Sequence, residues 1–141
     1  KFFEPGTDVV VAKTPFGNIG LMVCYDLRFP ELALTLRARG ANILTAPAAF
    51  TYTTGQMHWQ LLLQARAMDS QSIVLGAAQQ GWHGEKRQTW GHAAATNSRG
   101  QVLDLILNPG AQLITVPFDL AEQVQIRESM PLMQHRKLVQ F

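Results

Sequence analysis

The hydrophobic and polar positions at the start of the chain predict two strands that pair as a hairpin. Residues 9–13 are rich in β-branched side chains and lead into a turn-forming stretch at 15–18. Residues 19–24 then form a continuous apolar run, as expected for a strand that is buried on both faces.

A helix and a third strand are predicted after that run. Pro30 suits the first turn of a helix, and Gly40 suits its end. The apolar residues at 41–46 predict a strand, and a strand–helix–strand unit of this kind has parallel strands. The unit places Cys24 at the carboxyl end of a strand, where open α/β sheets usually have their functional sites.

The rest of the chain continues this mixed α/β pattern, so residues 1–141 form one domain or part of one. The predicted segments are a loop over 47–57, a helix over 58–70, a strand over 72–78, a surface loop over 79–91, a hairpin of strands over 92–96 and 102–107, a strand through Val116, and a helix from Asp119 to about Ser129. Asp119 followed by Glu122 is a capping-box arrangement for that last helix.

The composition is that of a globular protein, with 47% hydrophobic residues in a chain of 141. The 12 basic and 10 acidic residues are scattered, so the net charge of +2 gives no footprint for nucleic acid. The apolar runs are too short to span a membrane, and the first residues have no signal-peptide pattern. We therefore expect neither a nucleic-acid nor a membrane partner. Because the sequence does not begin with Met, we expect it to begin inside a longer polypeptide.

Cysteine usage predicts the compartment and argues against cofactors. The single cysteine cannot form an internal disulfide, and no Cys/His spacing resembles a zinc site. We expect a cytoplasmic protein with no metal site and no cofactor.

Cys24 is the strongest candidate for catalysis because a buried strand ends there and a helix follows. Such an elbow exposes the side chain and directs free backbone N–H groups and a helix dipole at it. These features favour negative charge on the sulfur and on a developing oxyanion. The alternative is a structural cysteine packed in a strand, since free cysteine is among the most buried residue types.

The string GLMVCYDLRFPE at residues 20–31 resembles the nucleophile segment of the nitrilase superfamily. Further likeness follows in order at 47–50, 58–59, 65–67, 91–92, 97–100, 119–120 and 131–136. The resemblance implies an α/β fold, a four-layer α-β-β-α sandwich of which this chain is roughly the C-terminal half.

The resemblance also implies a chemistry. The family uses a Glu–Lys–Cys triad with a second, assisting glutamate, so Cys24 would attack an amide carbonyl, ammonia would leave, and water would hydrolyse the thioester. The Tyr25 backbone N–H and the triad lysine would stabilise the oxyanion. The family's glutamate and lysine precede the cysteine in a half that is absent here, and neither Glu4 nor Lys13 fits their place.

Three expectations about partners follow from the resemblance. The chain alone should be inactive, its missing N-terminal half should be its partner, and a small-molecule amide should be its substrate. Family members commonly dimerise, so we expect a homodimer or a larger homo-oligomer.

Residues 77–87 resemble a segment that marks the deaminated glutathione amidase branch of the superfamily. Deaminated glutathione is therefore the favoured substrate, and α-ketoglutaramate, an omega-amidase substrate, is the alternative. Lys86 and Arg87 would bind the substrate's carboxylates, or would belong to a solvated loop. An alternative of another class is an inactive remnant that serves as an interaction module.

Other side chains complete the predicted site. Ala48, Phe50 and His58 are candidates for the substrate pocket, although packing explains the aromatic side chains equally well. A His–Cys dyad that uses His92 or His135 is a less favoured alternative, because lone histidines are more often ordinary hydrogen-bonding residues.

Charged residues around the elbow have a predicted structural role. Asp26, Arg28 and Glu31 are expected to form a local ion-pair set that shapes the turn. Arg66 lies among apolar neighbours on a predicted helix, so it needs a buried partner or a position at an edge.

Overall fold

The structure is a computed structural model that describes residues 4–137, and it confirms the predicted mixed α/β class. The strands are β1 (Val11–Thr14), β2 (Gly17–Leu21), β3 (Ile43–Thr45), β4 (Ile73–Gly76), β5 (Gln80–His83), β6 (Arg87–Trp90), β7 (Ala94–Thr96) and β8 (Val102–Leu105). The helices are α1 (Pro30–Ala38), α2 (Tyr52–Ser70), α3 (Leu120–Ser129) and α4 (Leu132–His135), and a 3₁₀ turn spans Cys24–Arg28. Within the described range, no helix has both the length and the apolar composition to cross a membrane.

The central sheet has the strand order β1-β2-β3-β4-β7-β8. β1 and β2 pair as the predicted antiparallel hairpin, and so do β7 and β8. β2 and β3 are parallel, as predicted, β4 is parallel to β3, and α1 and α2 connect the three strands. The carboxyl ends of these parallel strands therefore meet at one edge of the sheet.

One face of the sheet packs closely against α1 and α2. A Cβ atom added at Gly20 would lie 2.7 Å from Leu44 and 3.1 Å from Leu36, so glycine lets α1 approach β2. Gly76 does the same for α2, because a Cβ there would lie 2.7 Å from Trp59. The resulting apolar core lies between the sheet and these two helices.

The opposite face of the sheet is apolar but less covered. Because side chains alternate along a strand, Leu21 points away from the helices that Gly20 faces. Leu21 pairs with Thr45, and Thr45 pairs with Leu75, so these residues share that face. Leu21 is 46% exposed, and an open cavity of about 470 Å³ lies against Thr45 and Leu75. Residues 4–137 thus leave apolar sheet surface without a covering layer.

Helix α3 closes the amino edge of the parallel strands. Its buried Gln123 donates hydrogen bonds to the Asn42 carbonyl at 2.8 Å and to Ser98 Oγ at 3.0 Å. Arg127 donates to the Ala41 carbonyl at 3.1 Å. These bonds satisfy backbone groups that precede β3, so the amino edge is well supported.

The predicted surface loop over 79–91 is wrong, because it contains the antiparallel hairpin of β5 and β6. These short polar strands lack the apolar alternation from which strands are predicted. Their support comes from the start of α2: the N–H of Trp90 donates to the Phe50 carbonyl at 3.0 Å. Gly55 of α2 leaves room for the Trp90 side chain, which a Cβ atom there would overlap.

Two further predictions need correction at their boundaries. The helix predicted over 58–70 already begins at Tyr52, so the predicted loop over 47–57 is shorter. The strand predicted through Val116 does not form within residues 4–137. Its apolar residues lie against the uncovered sheet face, where no neighbouring strand pairs with them. Asp119 is confirmed as the cap of the last helix, since its side chain accepts from the N–H of Ala121 at 2.7 Å. The Glu122 half of the predicted capping box is not formed, because its carboxylate lies 3.8 Å from Arg99 Nε.

Candidate active site

The segment around Cys24 extends the sheet beyond β2 and then turns. The N–H of Met22 donates to the Thr45 carbonyl at 3.0 Å, and the N–H of Cys24 donates to the Pro47 carbonyl at 2.9 Å. Cys24 is therefore held beside the end of β3, at the first residue of the 3₁₀ turn. This is the predicted elbow, with a single turn of 3₁₀ helix inserted before α1.

Cys24 has a left-handed backbone conformation, with φ +49°. A non-glycine residue in this region costs about 1–3 kcal/mol. Hydrogen bonds at Cys24 and at the residue before it maintain this conformation. The N–H of Cys24 donates to the Pro47 carbonyl, and the side chain of Asp26 accepts from the N–H of Val23 at 2.8 Å. Backbone strain that is held in place by its surroundings is typical of functional sites.

The Cys24 side chain is half-buried and lines an open cavity of about 470 Å³. The walls of this cavity follow the ends of the parallel strands, with Ala48 beyond β3 and Ala77 and Gln79 beyond β4. A small molecule can therefore reach the sulfur from solvent. The geometry is that of an accessible thiol rather than a cysteine packed inside a strand.

The backbone N–H of Tyr25 lies in the first turn next to the thiol. Within this turn the N–H of Asp26 donates to the Val23 carbonyl at 3.0 Å, whereas the first N–H groups of a helical segment have no acceptor inside it. Cys24 uses Pro47 as its acceptor. Within residues 4–137 the next N–H, that of Tyr25, has no acceptor.

The predicted ion-pair set of Asp26, Arg28 and Glu31 is wrong, because no salt bridge joins these side chains within residues 4–137. Asp26 instead accepts from a backbone N–H, which closes the turn. Glu31 is exposed in the first turn of α1.

Arg28 contacts aromatic rings instead of carboxylates. Its guanidinium carbon lies 5.5 Å from the ring centre of Tyr25 and 5.4 Å from that of Phe50. Both of its terminal nitrogens lie 3.4 Å from His58 Nδ1. Cation–π contacts of this kind contribute about 0.5–2 kcal/mol each. Arg28 thereby joins the elbow to the segment that enters α2.

The structure separates the predicted pocket residues. Ala48 lines the cavity at Cys24. Phe50 is buried and packs edge-to-face on Trp59, with ring centres 5.2 Å apart. His58 contacts Arg28 and is not one of the residues that line this cavity.

Lys86 and Arg87 lie on the hairpin of β5 and β6. Lys86 is exposed in its turn. Arg87 reaches back, because its Nη2 donates to the Ala49 carbonyl at 3.3 Å and Ala49 lines the cavity at Cys24. Arg87 is therefore at the rim of the cavity, and Lys86 is one residue further out.

The candidate histidines for a dyad are engaged elsewhere. His92 Nδ1 donates to the Trp90 carbonyl at 2.8 Å, and its ring stacks on the Trp90 ring. His135 lies on α4 and is exposed. In the part of the chain that the structure describes, neither histidine is hydrogen-bonded to Cys24.

Sequence reasoning misses the cavity wall formed by Ala77, Ala78 and Gln79. The signal for it is present in the sequence, because these residues span the end of the strand predicted over 72–78 and the start of the loop after it. The rule that places Cys24 at the carboxyl edge also places them there.

Charged groups with shifted pKa values lie at the amino edge of the sheet, away from Cys24. Burial, together with the charge of Arg37, lowers the pKa of Arg127 to about 10, and burial lowers the pKa of Arg37 as well. Arg66 has its partner on the same helix, since its Nη1 lies 3.4 Å from Asp69. Between residues 4 and 137, no group of His, Cys, Asp or Glu side chains is arranged to hold a metal ion.

Comparisons with known proteins identify the family. Residues 1–128 match the carbon-nitrogen hydrolase family. Deaminated glutathione amidase from Yersinia enterocolitica is 46% identical over 138 residues, which make up 97% of this chain and 48% of that protein. The crystal structure of the Caenorhabditis elegans NitFhit protein matches with a TM-score of 0.88 and 40% identity, covering 96% of this chain and 33% of that chain.

A second solved structure agrees with these matches. Nit3 from Saccharomyces cerevisiae, a member of the nitrilase superfamily, matches with a TM-score of 0.87 and 30% identity, covering 96% of this chain and 49% of that chain. The chain spans about half or less of the length of these relatives. The family match over residues 1–128 shows that this chain belongs to the carbon-nitrogen hydrolase family, within the nitrilase superfamily.

Proposed function

We propose that Cys24 is the nucleophile of an amidase, which acts when the chain is part of the complete polypeptide. The observation that carries the proposal is the strained backbone of Cys24 at the end of a parallel strand, with its side chain in an open cavity. The family of the chain supports amide hydrolysis as the reaction class.

The proposed reaction has two halves. A base removes the thiol proton while the sulfur bonds to the amide carbonyl carbon, and the carbonyl oxygen becomes negative. The C–N bond then breaks, and the nitrogen leaves with that proton as ammonia or as an amine. Water adds to the thioester, the C–S bond breaks, and the sulfur regains a proton as the carboxylic acid leaves.

We propose that the N–H of Tyr25 stabilises the negative oxygen in both halves. A donor in this position is fixed before the substrate binds, because the hydrogen bonds of Cys24 and Asp26 hold the turn. A preorganised donor needs no rearrangement as charge develops, which is why such groups contribute strongly to catalysis.

The base lies outside the described residues in this proposal. Among residues 4–137, no side chain is hydrogen-bonded to the sulfur of Cys24. The chain spans only about half of its relatives, and the resemblance of residues 20–31 to the nitrilase nucleophile segment implies a glutamate and a lysine that precede the nucleophile. We therefore propose that these groups belong to the other half and that the chain alone hydrolyses no amide.

The uncovered sheet face supports this division of the site. Leu21 and Leu75 share that face, and Leu21 is 46% exposed. We propose that the N-terminal half of the same protein covers this apolar surface. A homodimer or larger homo-oligomer remains a prediction that sedimentation of the complete protein would test.

Deaminated glutathione is the proposed substrate, as the names of the relatives suggest. Arg87 supports a substrate with a carboxylate, because its guanidinium reaches the backbone of Ala49 at the rim of the cavity. Lys86 extends from the turn of the same hairpin and is proposed to contribute less.

Replacement of Cys24 in the complete polypeptide tests the nucleophile. Cys24→Ala should lower kcat for amide hydrolysis about a thousandfold or more, because the covalent route is lost. Mass spectrometry of rapidly quenched reactions should find the acyl group on the Cys24 peptide of the unaltered protein only. Equal rates for both proteins would remove Cys24 from the mechanism. The isolated chain should be inactive in the same assay.

A matched pair of variants tests the substrate. Arg87→Gln should raise KM for deaminated glutathione about tenfold, since a charged hydrogen bond contributes about 1.5–3 kcal/mol. Lys86→Gln, with the same change of charge, should alter KM much less. A protein that hydrolyses α-ketoglutaramate but not deaminated glutathione would assign the omega-amidase reaction instead.

A further inference from the structure

A second cavity, of about 490 Å³, adjoins the cavity at Cys24. The two share Ala77, Ala78 and Gln79 among their lining residues, so they lie side by side. The new cavity has polar side chains on its far side, including His92 and Gln112. The proposed reaction at the sulfur gives no role to His92 or Gln112.

His92 is held in this cavity by an unusual number of constraints. Its backbone is left-handed, with φ +61°, and its carbonyl accepts from Trp59 Nε1 at 2.7 Å. Its ring stacks on the Trp90 ring with centres 4.0 Å apart and planes 11° from parallel. A strained residue that its surroundings hold in this way points to a binding role.

The hydrogen bonds of His92 determine which ring nitrogen can bind a ligand. Nδ1 lies 2.8 Å from the Trp90 carbonyl, which can only accept, so Nδ1 carries the proton. In the neutral ring Nε2 then has a free lone pair. Among residues 4–137, no partner is bonded to Nε2, so it is an acceptor available to the cavity.

Gln112 adds a second acceptor to the same cavity. Its Nε2 donates to the carbonyls of Asn108 at 2.9 Å and Pro109 at 3.3 Å. The amide oxygen is left as the group that can face a ligand. The described residues that line this cavity include no Asp, Glu, Lys or Arg. A cavity lined by amide and imidazole side chains, without carboxylate, ammonium or guanidinium groups, is suited to an uncharged polar group such as a secondary amide.

We infer that this second cavity is a subsite for a secondary amide in the leaving group of the substrate, whose N–H donates to His92 Nε2. The inference rests on the proposed function, because it requires the scissile amide to lie at Cys24. Deaminated glutathione fits, since its leaving group is a dipeptide with one further amide. α-Ketoglutaramate has the same acyl group but releases ammonia, so it leaves the subsite empty.

The variant His92→Asn tests the subsite in the complete polypeptide. Asparagine tolerates the left-handed backbone, and its side-chain N–H can replace Nδ1–H at the Trp90 carbonyl. The acceptor Nε2 is lost. We expect kcat/KM for deaminated glutathione to fall about tenfold, and that for α-ketoglutaramate to stay unchanged. His135→Asn is the matched control and should change neither value.

A modified substrate gives the same test without a change in the protein. Methylation of the leaving group's own amide nitrogen removes the N–H donor, so the unaltered protein should lose about tenfold in kcat/KM. In His92→Asn the acceptor for that N–H is already absent, so kcat/KM should be the same for the methylated and the normal substrate.

The outcomes separate this inference from the proposed function. The subsite would be overturned if His92→Asn lowered kcat/KM equally for both substrates. It would also be overturned if methylation of the substrate lowered kcat/KM as much in His92→Asn as in the unaltered protein. An unaltered protein that hydrolyses neither substrate would instead contradict the proposed function. If the unaltered protein hydrolysed α-ketoglutaramate but not deaminated glutathione, Cys24 would remain the proposed nucleophile and the subsite would be refuted.

Discussion

The two edges of the parallel strands use their polar groups in opposite ways. At the amino edge, the buried Gln123 donates to the Asn42 carbonyl, and the half-buried Arg127 donates to the Ala41 carbonyl. The polar side chains and the backbone carbonyls there are hydrogen-bonded to each other. At the carboxyl edge, Cys24 has a strained backbone and faces an open cavity. Gln123 is 1% exposed, whereas Cys24 is half-buried.

This difference separates stability from reactivity within one sheet. At the amino edge Gln123 and Arg127 make several hydrogen bonds to the backbone, although Nε of Arg37 has no partner among the described residues. Loss of those bonds should lower the free energy of unfolding and leave the chemistry unchanged. Bonds at the carboxyl edge hold groups for a reaction, so their loss should lower the rate more than the stability. Substitutions at the two edges test this separation in the complete polypeptide.

After replacement of Cys24 itself, the largest effect is expected for Asp26→Ala at the carboxyl edge. The side chain of Asp26 accepts from the N–H of Val23, and without it the turn that presents Cys24 is free to shift. A displacement of about 1 Å can cost about a hundredfold in rate, so kcat for amide hydrolysis should fall by that factor. Loss of a cap should lower the free energy of unfolding by only about 1 kcal/mol, measured by urea denaturation.

Controls for this prediction are available in the same turn. Asp26→Asn keeps a side-chain oxygen at the position and should recover much of kcat. Glu31→Gln changes an exposed carboxylate nearby and should have no effect. If Asp26→Ala lowered the free energy of unfolding by as much as it raised the activation free energy for kcat, the separation of stability from reactivity between the two edges would be contradicted.

The next largest effect is expected for Gln123→Ala at the amino edge. The change removes the buried donor to Ser98 Oγ and the acceptor of Asn42 Nδ2, while the Asn42 carbonyl keeps its bond from the N–H of Ile73. An unsatisfied buried group costs about 1–3 kcal/mol, so the free energy of unfolding should fall by about that amount, while kcat per folded molecule is unchanged. Gln125→Ala, on the exposed side of the same helix, is the matched control.

The sequence predicts the elements of this comparison better than their contacts. Parallel strands and the position of Cys24 follow from the apolar runs and from the short connections, which are local signals. The hairpin of β5 and β6 is missed, because its polar strands depend on Trp90 packing against Gly55 of α2. Contacts between distant segments leave no period in the sequence.

The partners of charged residues are the least predictable part of the site. Arg28 has carboxylates nearby in sequence, and local pairing is the natural expectation. In the structure it contacts Tyr25, Phe50 and His58, two of which belong to another part of the chain. The wall at Ala77 was predictable, because it follows from the same rule that places Cys24.

A smaller effect is expected for Arg28→Lys at the carboxyl edge. Lysine keeps the charge but loses the planar group that stacks between aromatic rings. Loss of about 1–2 kcal/mol of contact should loosen the elbow and lower kcat about tenfold, with KM little changed. Arg99→Lys, at an exposed position, should leave kcat unchanged. A rise in KM at constant kcat would instead assign Arg28 to substrate binding.

The smallest effect is expected for Arg37→Gln at the amino edge. This variant tests whether charge repulsion between Arg37 and Arg127 destabilises the folded state. The charge of Arg37 is one cause of the lowered pKa of Arg127, after burial. A base whose pKa is lower in the folded state destabilises that state while it is protonated. Removal of Arg37 should therefore raise the free energy of unfolding at neutral pH, by about 0.5 kcal/mol for a partly screened pair.

The pH and salt dependence of Arg37→Gln distinguish repulsion from packing. Arg127 loses its proton in the folded state above its pKa of about 10, so the gain should be present below that pH and disappear above it. Salt should reduce the gain at neutral pH, because it screens the two charges. Arg37→Lys keeps the charge and should show no gain in urea denaturation. A gain in the free energy of unfolding of Arg37→Gln that is independent of both pH and salt would show that Arg37 and Arg127 do not repel each other measurably. The strain in the sheet would then be confined to the carboxyl edge.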